Sequence, residues 1–294
     1  MGRVRYRPMK IWSLLVALGM AAGAPSAYAQ IVVENAGTVS PETPTWQSRF
    51  EIDRYKNVTD LRATENLYWA PDPRTEFKLS APLLRRELDL PDGTESLFGG
   101  LGDLELHIKR IFHKSDDVMR STRFSAMGGL VLPTGPWHEE DGGVDIPRSL
   151  QLGTGTLGFF GGPLFTHIAD RHRFAFEAIG QAHAEHDDYR PQPSLRLGAA
   201  YWYRISPAAL EVAGDRTEVR GSFELIHTVY GRSVEGGTRV GDDGTTTMLS
   251  VGLQVYPTTS PLFEAAVLIP LHETKEDLKG DRRIGFLLSI KFLF

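Results

Sequence analysis

The stretch IGFLLSIKFLF, Ile284 to Phe294, decides how the rest of the chain is read. Phe286, Leu288, Ile290, Phe292 and Phe294 fall on alternate positions, and a period of two puts them on one face of a β-strand. Gly285, Leu287, Ser289, Lys291 and Leu293 take the other face, which is smaller and more polar. Such a strand suits a soluble sandwich with its apolar face inward, or a membrane barrel with that face outward. Alternation alone does not say which face meets the core.

The other end of the chain favours export. Arg3, Arg5, Arg7 and Lys10 precede the apolar run IWSLLVALGMAAGA, and Ala27-Tyr28-Ala29 supplies small residues for cleavage. The run is too short to span a bilayer, so residues 1–29 are expected to be a cleaved secretory signal and the mature chain to start at Gln30. Loss of those four basic residues takes the formal charge from −5 to −9, which argues against a nucleic-acid partner. There is no cysteine, hence no disulfide to stabilise an exported domain and no lipidated cysteine. Outside the signal no apolar run is long enough for a membrane helix, and β-structure remains.

Residues 30–45 read as a polar, flexible periplasmic lead-in, and residues 46–294 as the barrel. Alternating segments of about ten residues, separated by turn formers, recur through this second part. In DLELHIKRIF, Leu104, Leu106, Ile108 and Phe112 oppose Asp103, Glu105, His107 and Lys109. The same division sets Phe223 and Leu225 against Ser222 and Glu224, and Leu195 and Leu197 against Arg196. Strands are expected near 46–55, 64–70, 75–84, 103–113, 121–133, 153–168, 172–184, 194–205, 217–229, 246–256, 261–271 and 284–294. The connections then alternate between long, acidic ones (56–63, 85–102, 134–152, 185–193, 230–245, 272–283) and mostly short ones. Long loops on one rim and tight turns on the other fit an all-β, antiparallel transmembrane barrel of about 12 strands in the bacterial outer membrane. Pro82 and Pro163 cannot donate to a ladder, so a bulge or break is expected beside each.

Two segments carry a resemblance. FGGLGDLELHIKRIF (Phe98 to Phe112) and FSAMGGLVLPTG (Phe124 to Gly135) contain Gly100, Gly102 and Asp103, then Leu132, Pro133, Thr134 and Gly135. They are followed by LQLGTGTLGFF, Leu150 to Phe160, which lacks the acidic residue expected after its glycines. Together they resemble the outer-membrane β-barrel family named for the meta-pathway of phenol degradation, as does the terminal Phe294. That resemblance implies a barrel that passes small hydrophobic or aromatic molecules.

The expected inward faces hold Arg49, Glu51, Asp53, Lys78, Asp103, Glu105, His107, Lys109, Glu177, Arg196, Arg204, Arg220, Glu224 and Glu264. Mixed charge of this kind suits a wet lumen in which Asp103 and Glu105 help set ion preference, or an interior filled by paired charges. Leu106 and Phe223 should meet lipid. Phe292 and Phe294 are expected to be the signal read by barrel assembly machinery. The other expected partners are outer-membrane lipid and lipopolysaccharide and an unidentified small-molecule substrate. No catalytic residue, cofactor or metal is expected. The alternatives are a structural barrel without transport, and an outer-membrane hydrolase built around His113 and Ser115. His183, His186 and Asp187, or His138 with Glu139 and Glu140, read as solvated acidic loops rather than metal ligands.

Overall fold

The computed structural model describes residues 32–41, 43–89, 95–117, 119–141, 144–209, 216–240, 243–258, 260–275, 279 and 281–294. The expected signal, 1–29, and Gln30 lie outside them. The wall is one antiparallel sheet: β1 (Thr45–Tyr55), β2 (Val58–Asp72), β3 (Thr75–Asp89), β4 (Glu95–Leu101), β5 (Leu104–Asp117), β6 (Arg120–Leu132) and β7 (Gly158–Ala169). It continues through β8 (His172–His183), β9 (Ser194–Ser206), β10 (Glu218–Tyr230), β11 (Gly244–Tyr256), β12 (Leu262–Glu273) and β13 (Arg282–Leu293). β13 pairs back onto β1 from Thr45–Leu293 to Tyr55–Arg282, which closes the barrel. β4 and β5 together occupy one place in the wall, so the closed barrel has 12 strands.

The polarity has the membrane sense. Leu288 and Phe223 are 59% and 55% exposed, whereas Glu224 and Gln254 on the opposite face are 0% exposed. Leu106, Ile108, Leu195, Leu197 and Phe286 are exposed as well, and Lys109, Glu177, Arg204, Glu264 and Lys291 are buried. A water-soluble sandwich would reverse both sets. The fold is a transmembrane β-barrel.

Two expectations about connections are corrected. The first connection is only Lys56 and Asn57, because β2 begins at Val58 rather than near 64. The region expected as the loop 85–102 contains the end of β3 and all of β4. Charge imitates a loop in both stretches: Arg85 and Glu87 stand on one face of β3 with Arg86 on the other, and Asp60 and Arg62 share one face of β2.

Both prolines lie at ladder faults. β3 pairs with β5 from Thr75 to Ser80 and with β4 from Leu83 to Asp89, so Pro82 stands at the change of partner. There the Pro82 carbonyl accepts from the Gly102 amide at 2.8 Å. Pro163, in β7, sits where the ladder to β8 skips from Leu164 to Gly161.

Candidate functional site

The lumen has a filled half and an open half. Residues 32–41 and Thr43, expected as part of a flexible lead-in, instead form a strap inside the barrel, rooted at the end of β1 away from the long loops. Wall residues take its backbone donors. Glu224 Oε2 accepts from the Val32 and Val33 amides at 2.9 and 2.8 Å, and Glu177 Oε2 from the Glu34 amide at 2.7 Å. Thr166 Oγ1 accepts from Ala36 at 2.9 Å, and Glu76 Oε2 from Val39 at 2.7 Å. Three side chains of the strap, spaced three apart, are seated in apolar recesses. Val33 packs among Ala175, Ala200, Trp202 and Ile226, Ala36 among Met127, Leu164 and Ile179, and Val39 against Tyr68 and Ala70.

Ion pairs fill the space around it. Lys78 meets the strap's Glu34 at 3.1 Å, Lys109 meets Glu76 at 2.7 Å, and Arg196 meets Glu177 at 2.9 Å. Arg49 pairs with Glu51, and Glu264 accepts from Gln47 and Gln254 at 3.2 and 2.8 Å. Buried charges persist only with such partners.

On the loop side lies a chamber of about 830 Å³, lined by strand ends and by the loops after β6, β8, β10 and β12. Its lining includes Tyr55, Tyr189, Tyr230, His183 and His272, with Arg148, Lys275, Lys279 and Arg282. A three-stranded ladder of loop segments, Tyr189–Arg190, Val234–Glu235 and Thr238–Arg239, runs beside it.

Between the halves, the segments that carry the family resemblance meet in one knot. Asp103, expected as a free lumen carboxylate, accepts from the Gly135 amide at 2.9 Å and from the Thr154 amide and hydroxyl, both at 2.7 Å. Gly102, Gly135 and Gly153 pack backbone to backbone: a Cβ on Gly135 would lie 2.8 Å from the Gly153 Cα and 2.9 Å from the Gly102 carbonyl carbon. Thr134 Oγ1 accepts from the Leu104 amide at 2.9 Å. The knot bends the wall between β4 and β5 and fixes the loop after β6, whose Leu150 and Gln151 carbonyls accept from Arg86. Asp103 therefore holds a loop and does not line the passage.

The other expected residues face inward, but into different settings. Glu105 is engaged by His107 at 2.9 Å, and the His107 ring lies 4.5 Å from Phe160. Arg204 pairs with Asp170 at 3.1 Å and Arg220 with Glu218, both at the rim opposite the chamber. Phe292 is opposite Trp46 in the closing ladder, and the Phe294 amide donates to the Pro44 carbonyl. His113 lies beside Phe124, His138 meets Trp137 at a tilt, and His186 meets it edge-on. Among the described residues no three His, Asp or Glu groups converge on a metal position. The strap, Glu76 and the chamber's Arg148 were not foreseen. The Val33, Ala36, Val39 spacing is the one local sign of the strap.

No family model and no curated protein matches the chain. Among solved structures, it superposes on an outer-membrane channel from Pseudomonas putida F1 with a TM-score of 0.73, at 14% identity, over 90% of this chain and 100% of that one. LpxR from Salmonella typhimurium matches with a TM-score of 0.48, at 9% identity, over 84% of this chain and 100% of its own. The β domain of the Bordetella autotransporter BrkA gives 0.47, at 12% identity, over 88% and 100%. The likeness to the Pseudomonas channel is one of fold.

Proposed function

We propose that this chain is an outer-membrane channel, not an enzyme, that admits small molecules through the outer chamber and is closed below by its own strap. The observation that carries this reading is the division of the lumen. An outer chamber of about 830 Å³ stands above a lower half occupied by a segment that belongs to no wall strand and is held by five backbone hydrogen bonds to wall side chains. Shifting that segment opens the lower half without breaking the barrel. The motifs resembling the phenol meta-pathway family form the knot that shapes the chamber, which supports small aromatic or hydrophobic cargo. A bacterial outer membrane is the setting this fold fits, with lipid and lipopolysaccharide around the apolar belt and assembly machinery reading Phe292 and Phe294.

The test is conductance in planar bilayers. The full chain should give small, infrequent steps, and deletion of residues 32–43 should raise conductance several-fold while heat-modifiable gel mobility stays normal. A folded deletion variant that stays silent would favour the second reading, a non-transporting barrel. That reading is favoured by the ion pairs Lys109–Glu76 and Arg196–Glu177, which remain when the strap is gone.

A further inference from the structure

All three tyrosines of the chamber carry a cation over a ring face. Lys275 lies 4.6 Å from the Tyr230 centroid, Lys279 5.1 Å from that of Tyr55, and Arg148 5.5 Å from that of Tyr189. Lys279 also has a carboxylate, Asp60, at 2.6 Å. Arg148 differs. Its guanidinium lies 4.5 Å from the Trp137 ring as well as over Tyr189, and among the described residues no carboxylate meets it. It is only partly exposed and lines the chamber. A guanidinium held by rings on its faces keeps its N–H edges available, and those edges match a carboxylate in a two-pronged hydrogen bond. The surrounding rings supply flat apolar surface for an aromatic body.

We infer that the chamber contains a binding site for small aromatic carboxylates, with Arg148 as the anion receptor and Trp137 and Tyr189 as its supports. The site deepens the channel reading, because it rests on the chamber being the entrance. A wholly neutral hydrophobic cargo would leave the Arg148 edges unmatched in the bound state.

The probe is benzoate, with benzamide as its neutral counterpart, added to purified full-length barrel in detergent. Quenching of Trp137 fluorescence and calorimetry report binding. Benzoate should bind on the order of tenfold more tightly than benzamide. Arg148→Gln should abolish that preference and Arg148→Lys should keep part of it. Tyr189→Leu, which removes the second ring beside the guanidinium, should weaken benzoate by a few-fold. Equal binding of the two probes by the unaltered protein, or no binding of either, overturns the site and requires no variant to fold. Unchanged benzoate affinity in a folded Arg148→Gln protein overturns the role of Arg148. The two readings fail separately. Benzoate binding by a barrel that never conducts would remove the channel and keep the site, whereas a conducting barrel indifferent to charge would remove the site alone.

Discussion

In the half of the lumen that holds the strap, Glu76, Glu177 and Glu224 each receive a strap amide, and Glu76 and Glu177 each meet a cation too. In the outer half, the cations lean on tyrosine faces and the space between them is open. The same inward alternation builds both. The difference is that one half is given backbone donors by the chain itself, while the other is left to water or ligand. A buried carboxylate needs hydrogen-bond donors more than it needs a particular countercharge. Wall charge therefore marks where the strap docks rather than where ions pass.

The sharpest way to break this division is at the knot between the halves. Gly153→Val would drive a side chain into the Gly135 backbone, which has no flexible end to move aside. A cost of about 3 kcal/mol is expected, seen as loss of the folded, heat-modifiable species. Normal folding would show that the glycine contact does not hold the outer chamber in place.

A smaller effect is expected at the strap anchors. Glu177→Ala with Glu224→Ala removes the acceptors of the Val32, Val33 and Glu34 amides. Hydrogen bonds to charged groups contribute about 1.5–3 kcal/mol each. Exchange of those three amides should speed up by more than about tenfold per bond lost, while the β1–β13 ladder keeps its protection. Equal acceleration in that ladder would mean that these carboxylates support the wall and not the strap.

The smallest effect concerns the chamber and pH. Burial, with the nearby Arg86 cation, pulls Lys279 down to about 8, only partly opposed by Asp60. The folded barrel thus releases this proton at lower pH than the unfolded chain, so between about 8 and the free-lysine value the loop gains stability as pH rises. In the strap-deleted, conducting barrel the chamber loses this positive charge around pH 8. Anion preference should fall by less than about twofold through pH 8, and Lys279→Met should flatten the response. A step of the same size in that variant would assign it to another group.

Much of this wall is legible in the sequence. Phe286 to Lys291 and Leu104 to Lys109 alternate cleanly because one side meets lipid and the other the lumen. Legibility fails at Arg85 to Glu87, where charge stands on both faces, and at Asp60 and Arg62, which crowd the start of β2, and charge there reads as loop. The site was harder to see. Alternation puts Asp103 inward correctly, yet its partners are backbone amides of Gly135 and Thr154, set by the path of a loop. The strap has only three spaced small apolar residues of its own, and its anchors lie far along the chain.

That distance bears on the order in which the molecule is made. The Val33 amide and Glu224 are separated by 191 residues, and Glu34 and Glu177 by 143. Contacts so remote in sequence close late, since the intervening chain must first be ordered. Ten of the thirteen wall segments precede or contain Glu224. The strap, near the N-terminal end of the described chain, is therefore among the last segments to find its partners, and it locks only around a wall that is nearly complete.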